Sequence, residues 1–321
     1  MSIETIAKYL DQYHARFYRY SHEKHIERWV SQFSNQDVII AEISHLMDKV
    51  FIEEQNETVF FENLLKNQKV ISDIGSPENC SILDIQQTGK SQAIYSKKMQ
   101  KVFQDTLDVL VPINDFSKNV LIYVDDFMFS GMKARHDILN VFKTYEKKKI
   151  IYIFIGVHSN ADYYLDKEFK ANNITKTVWR CITLNNTLSK RDTSDTFWPK
   201  ESIQSNPAVI KYINDRKFNK PVMFRSDTSQ SCGDFNLFTN STNRGIIENE
   251  FLLAGLKIIE ECNTNLPPLG VSAFKGLGFG GTVMSYRNIP NNTPLCLWWG
   301  NPENQGGLGS WYPLMMRKVY D

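Results

Sequence analysis

The sequence predicts an α/β protein built on a parallel, doubly wound sheet. Two uninterrupted apolar runs, residues 120–124 and 150–157, lack the alternation of a half-exposed strand, so they read as strands buried on both faces. Each run ends in a short polar loop that opens an amphipathic helix; after the first, Ala134, Ile138 and Phe142 share one face. Strand and helix then keep alternating, which requires crossover connections and hence parallel pairing.

The elements follow in order. Residues 1–75 form an N-terminal helical region. Ile3, Ile6, Leu10 and Tyr13 recur at helical spacing, as do Ile26, Trp29, Val30 and Phe33. Val38, Ile43, Leu46, Val50 and Phe51 give a third helix, and Phe60, Leu64 and Leu65 a fourth. Two roles suit this region: a cap on the core, or a docking module for a partner protein. The turn signal from Gly75 to Asn79 marks the boundary, and residues 76–321 form the main domain. Residues 80–85 read as its first strand, and a helix starts near Gln92. Residues 178–184 make a further strand. From about 190 the pattern loosens into a C-terminal α+β extension. Its one strong helix spans 243–261, with Ile246, Ile247, Phe251, Leu252, Leu256 and Ile259. The last 50 or so residues, rich in Gly, Pro and Trp, read as short strands and ordered loops.

Composition bounds the function. The chain has 321 residues, 42% hydrophobic and 23% charged, with net charge +1. That fits a globular protein with a substantial core, and it argues against bulk nucleic-acid or membrane-surface binding. No apolar run reaches the roughly 20 residues of a membrane span. The five cysteines, Cys80, Cys181, Cys232, Cys262 and Cys296, are scattered without metal-ligand spacing and read as reduced thiols of a cytoplasmic protein.

Chemistry concentrates after the strand at 120–124. Asp125 and Asp126 follow it directly, and Phe129, Ser130, Gly131, Met132 and Lys133 lead into the helix. Open parallel sheets bind ligands beyond the carboxyl ends of their strands. Loop amides at a helix N-terminus suit a phosphate, and carboxylates suit ribose hydroxyls or Mg²⁺. The combination points to a phosphorylated sugar; the bland alternative is a pair of solvated carboxylates in an unrelated loop. A second loop, with Gly89, Lys90 and Ser91, follows the strand at 80–85. A nucleotide P-loop would need glycine five residues before Gly89, where Asp84 stands. Ser91 as a simple helix cap is the plain reading. His158, at the end of the strand at 150–157, is either a base or ligand or an ordinary polar residue. Arg287, Asn288, Asn291 and Asn292 cluster around Pro290 and offer hydrogen bonds to a base or a phosphate.

The stretch 120–133 resembles the phosphoribosyl-pyrophosphate (PRPP) motif of type I phosphoribosyltransferases. It matches at Asp125, Asp126, Ser130 and Gly131. It departs at Phe129, where the family usually carries Thr, Ala or an acid, and at Lys133, where a hydroxyl is usual. Purine-salvage members use an Asp at the Phe129 position as general base, so that activity is not implied. The resemblance assigns Gly89, Lys90 and Ser91 to the pyrophosphate loop. The phrases at 243–256, 277–280, 287–295 and 298–314 are similar to a bacterial group of phosphoribosyltransferase-like proteins. That group occurs as effectors of conflict and anti-phage systems, including retron cassettes beside a reverse transcriptase.

The resemblance, over about residues 60–321, implies a type I phosphoribosyltransferase-like sheet with a defence function. The implied ligand is a nucleotide or PRPP-like small molecule, with Mg²⁺ held indirectly at Asp125 and Asp126. The implied chemistry is transfer or glycosidic cleavage at a ribose-phosphate anomeric centre. Two further readings compete with catalysis. One is nucleotide sensing without turnover; the other is a scaffold that binds a reverse transcriptase and its nucleic acid.

Overall fold

A computed structural model describes residues 2–14, 20–87, 91–142, 149–272, 276–304 and 307–317. It confirms the α/β class. The N-terminal region gives helices α1 (Ile3–Gln12), α2 (His22–Val30) and α3 (Gln36–Val50). Strand β1 (Phe51–Ile52) follows, then α4 (Glu54–Leu64) and α5 (Gln68–Ile74). Phe51 was expected to close the third helix. Instead it turns extended and pairs in parallel with Met284, because β1 finds a strand partner near the far end of the chain. The α/β region runs β2 (Cys80–Leu83), α6 (Ser91–Leu107), β3 (Val120–Met128), α7 (Met132–Phe142), β4 (Lys149–His158), α8 (Ser159–Ala171) and β5 (Lys176–Leu184). The C-terminal part holds α9 (Pro207–Arg216), α10 (Ser241–Cys262), β6 (Met284–Ser285) and α11 (Leu295–Trp298).

The contacts divide the chain into two compact units. Among the described residues, one joins 2–53 to 185–317, and the other comprises 54–184. The first 53 residues thus share a unit with the C-terminal extension. The reason is packing: Trp29 stacks edge-on with Phe33 and Phe251 and donates its indole N–H to the Cys296 carbonyl at 2.9 Å. Glu250 accepts from the Asn35 amide at 3.1 Å, at the start of α3.

The second unit is a four-stranded parallel sheet in the order β2-β3-β4-β5. In register, Leu83 lies opposite Tyr123, Tyr123 opposite Tyr152 and Tyr152 opposite Val178. One core joins Leu121, Tyr123, Tyr152 and Phe154 to Ala134 and Ile138 of α7 and to Leu165 and Phe169 of α8. Helix α6 packs on β2 and β3, and α4 packs on α6. There buried Glu57 accepts from Tyr95 and from Lys98, each at 2.6 Å. Near the carboxyl end, Phe127 lies opposite Gly156 with its ring over the glycine. A Cβ at 156 would sit 2.6 Å from Phe127 Cδ1. Gly156→Ala is therefore expected to cost about 1–3 kcal/mol through overpacking, seen as a lower thermal midpoint. An unchanged midpoint would show that the Phe127 ring yields freely.

The first unit is centred on α10. Arg244 and Glu248 sit one turn apart on it, and both are fully buried. The sequence pattern allows a solvated helix face here, but Glu248 bonds Arg244 at 2.8 Å and fully buried Arg225 at 2.5 Å. Arg244 also donates to the carbonyls of Ser194, Thr196 and Ser231. The polar stretch after residue 190 is consequently not a loose surface loop. Ser194, Asp195 and Thr196 run through the interior, with Asp195 accepting the amides of Asn185 and Phe235. In the last segment, where short strands and ordered loops are expected, Leu295–Trp298 is a short helical turn whose side chains are all buried.

Candidate functional site

Strand β3 runs four residues past Val124, so Asp125 and Asp126 are ladder residues and not loop residues as expected. Asp125 pairs with Phe154, and the register continues through Phe127–Gly156 to Met128–Val157. Neighbouring strand residues point to opposite faces. Asp125 therefore lies on the face of Tyr123, and Asp126 on the other. Because β2 stops opposite Tyr123, the end of β3 has no strand on that side. The carboxylates take up backbone donors there: Asp125 accepts the Asp126 amide at 3.0 Å, and Asp126 accepts the Phe127 amide at 2.7 Å.

On the Asp125 face lies a polar network. Gln86, three residues past the end of β2, donates through Nε2 to Asp125 Oδ2 and to the Tyr123 hydroxyl at 2.9 Å. Its Oε1 accepts from Lys133 Nζ at 2.9 Å. The Tyr123 hydroxyl donates to Asp137 of α7 at 3.0 Å. Burial is the main cause raising the Asp137 carboxyl above its ordinary value, and the nearby Asp125 charge adds to it. Burial likewise pushes the Tyr123 hydroxyl up, followed by the Asp125 charge. Fully buried Gln92 holds the loop from below. Its Oε1 accepts the amides of Ile85 and Gln86 at 2.7 and 2.9 Å, while its Nε2 has no acceptor among the described residues.

Gln86, Gln92, Tyr123 and Asp137 escaped the sequence reading. A signal existed for Asp137, an acid between Ala134 and Ile138 on the apolar face of a helix. Gln86 offered only its place beyond a strand end.

The loop to α7 is Phe129, Ser130 and Gly131, with Met132 and Lys133 in the first helical turn. Gly131 has φ +70°, and its carbonyl accepts the Arg135 amide at 2.9 Å, the first bond of the helix. A Cβ there would meet the Ala161 carbonyl oxygen at 3.1 Å, so conformation and space both call for glycine. The Phe129 ring stacks on the His158 ring, with centroids 5.2 Å apart and planes at 25°. The Met132 side chain faces solvent. Of the second loop, Gly89 and Lys90 lie outside the described residues, and Ser91 is the first residue of α6.

His158 ends β4 and is buried, and burial lowers its pKa to about 3. His25, in the other unit, is lowered to about 4, again mainly by burial. Both rings stay neutral near pH 7. Each folded pKa lies below the ordinary value of about 6.5, so the unfolded chain takes up these protons first. Their contribution is complete above about pH 6.5 and is lost as pH falls towards about 4. Each histidine is expected to remove roughly 2 kcal/mol of stability at about pH 5. Urea melts at about pH 7.5 and 5 check this, and His158→Phe should roughly halve the difference.

Arg287, Asn288 and Asn291 belong to the other unit. Asn288 accepts from the Tyr13 hydroxyl and the Ile289 amide, and the Asn291 carbonyl accepts the Val271 amide at 2.7 Å. Asn292 donates to the Val271 carbonyl at 2.6 Å. The Asn288 and Asn292 side chains thus tie chain segments together, which gives these two a role without a ligand.

The donor chemistry of the β3 end accommodates Mg²⁺ only in part. Carboxylate oxygens are the right ligands for a hard cation. However, the two acids diverge across the strand, and among the described residues no group of three or more His, Cys, Asp or Glu could hold a metal. An ion here would have to bring most of its ligands as water or substrate oxygens.

The family model PRTase-CE matches residues 26–317, reaching into both compact units. No curated protein matches the chain.

Proposed function

This chain belongs to the PRTase-CE family, a name consistent with phosphoribosyltransferase-like conflict effectors, and we propose that its β3–α7 site binds a 5-phosphorylated ribose, as PRPP or a nucleotide. The supporting observation is one arrangement. At the carboxyl end of a buried parallel strand, the Asp125 carboxylate and the Lys133 ammonium are joined through the single side chain of Gln86. Asp125, with Asp126 across the strand, accepts the ribose hydroxyls. Ser130, Gly131 and the first turn of α7 offer amides to the 5′-phosphate, and Lys133 adds its charge. Gly89, Lys90 and Ser91 hold the pyrophosphate or leaving phosphate. Asp125 and Asp126 are the residues that would hold Mg²⁺, through the ligand's own oxygens, and the ion would supply charge against the leaving pyrophosphate.

Cleavage at the anomeric carbon passes through an oxocarbenium-like state. The chain's contribution is then to orient the ribose and stabilise departing negative charge. As an effector of an anti-phage system, such an enzyme would deplete or modify a nucleotide pool. No helix among the described residues is long and apolar enough to cross a membrane.

A second reading is sensing without turnover, alone or as a scaffold for a reverse transcriptase and its nucleic acid. The observation in its favour is Phe129, whose ring packs on His158 at the position where purine-salvage relatives carry their base. Growth and nucleotide profiling decide between the two. Cells expressing the wild type, with phage as trigger, should arrest and lose one nucleotide pool, whereas a folded Asp125→Asn/Asp126→Asn variant should not. Equal behaviour of both proteins would favour the sensing reading.

A further inference from the structure

We infer that Gln86 is an internal surrogate for the ligand, holding the site closed until a phosphorylated ribose displaces its side-chain amide. The inference rests on the ribose-phosphate reading of the β3–α7 site and adds how entry to it is controlled.

A ribose phosphate must present two opposite features: hydroxyl donors towards a carboxylate, and anionic oxygens towards a cation. The Gln86 side chain presents that same pair. Its Nε2 donates to Asp125 Oδ2 and to the Tyr123 hydroxyl, and its Oε1 accepts from Lys133 Nζ. The acid and the cation that the ligand needs are therefore both engaged by one neutral amide. Buried Asp125 would otherwise carry a desolvated charge with fewer donors, which is costly. Gln86 removes that cost in the absence of ligand.

The geometry also shows what has to move. The Gln86 backbone amide is held by Gln92 Oε1 at 2.9 Å, and the preceding amide by the same oxygen at 2.7 Å. Gln92 is fully buried, so this anchor is shielded from water. Only the Gln86 side chain needs to rotate, and the loop backbone keeps its place. The device selects for ligands carrying both features. A neutral sugar can replace the donor but offers Lys133 no anionic oxygen. A simple anion can take Lys133 but leaves Asp125 bare and facing another negative charge.

The test is calorimetric titration of the full chain with ribose 5-phosphate, with ribose and inorganic phosphate as single-feature controls. The proteins are wild type, Gln86→Ala and Gln86→Leu, each checked by its thermal midpoint. Leucine keeps bulk at the position but cannot bridge. Both variants are expected to bind ribose 5-phosphate about tenfold more tightly than wild type, the worth of one charge-assisted hydrogen bond no longer broken on binding. Wild type should bind ribose 5-phosphate far better than either control. Equal or weaker binding by both variants, with wild type still binding, overturns the gate and leaves the ribose-phosphate site standing. Absence of binding in all three proteins contradicts the site itself, and the gate falls with it.

Discussion

Glu248→Ala is expected to destabilise the protein by about 3–5 kcal/mol, more than any other single change considered. Among the described residues, Glu248 is the only carboxylate bonded to two fully buried guanidiniums, Arg225 at 2.5 Å and Arg244 at 2.8 Å. It also accepts the Trp198 amide at 3.0 Å. Burial already lowers the Arg244 pKa, and the Glu248 charge is the first influence opposing that. Truncation leaves two buried cations that keep backbone carbonyls, the Ser229 hydroxyl and the Phe238 ring but lose their bonded carboxylate. The thermal midpoint should fall by on the order of 10 °C for a protein of this size. Glu248→Gln keeps the shape and should cost less, because it removes the charge but not every acceptor. An alanine variant with an unchanged midpoint would mean that the arginines find other counter-charges or water.

Asp125→Asn should weaken ribose-phosphate binding more than Asp126→Asn does, by at least tenfold in absolute terms. Loss of a charge-assisted hydrogen bond costs roughly 1.5–3 kcal/mol, or about 10- to 150-fold in affinity. Asp125 shares a strand face with Tyr123 and meets Gln86, which in turn holds Lys133. Asp126 points to the opposite face and its carboxylate caps the Phe127 amide. Asparagine preserves volume and one acceptor, so a fall in affinity without a fall in thermal midpoint isolates the charge. Equal effects at the two positions would show that Asp126, across the strand, bears on the ligand as strongly as Asp125 does.

Much of the fold was legible from the chain alone. Unbroken apolar runs such as Ile150 to Val157 can only be strands buried on both faces, and β4 is that strand. The long amphipathic run around Phe251 and Leu252 likewise became α10. What misled was polarity inside the structure. Two aspartates after Val124 look like the end of a strand, yet the ladder to β4 carries through them to Met128. Ser194, Asp195 and Thr196 look like a surface loop but are buried by bonds to residues distant in sequence. Helix α9 was overlooked although Asn206 caps it and Pro207 fills its first position, a pairing that marks a helix start.

The candidate site was legible as far as its linear motif reaches. Asp125, Ser130, Gly131 and Lys133 stand together at one strand end, where local sequence put them. Gln86, Gln92 and Asp137 could not be read that way, because each matters only through a bond to another segment. Conversely, the side chains of Asn288 and Asn292 fasten chain segments, since hydrogen-bonding side chains serve loops as readily as ligands.

The most direct test of a ribose-phosphate site at the end of β3 is titration of the wild-type chain with PRPP in the presence of Mg²⁺, followed by heat. Saturable one-to-one binding that is lost in the folded Asp125→Asn/Asp126→Asn variant is the expected result. No saturable heat, or the same binding in the double variant, would contradict it.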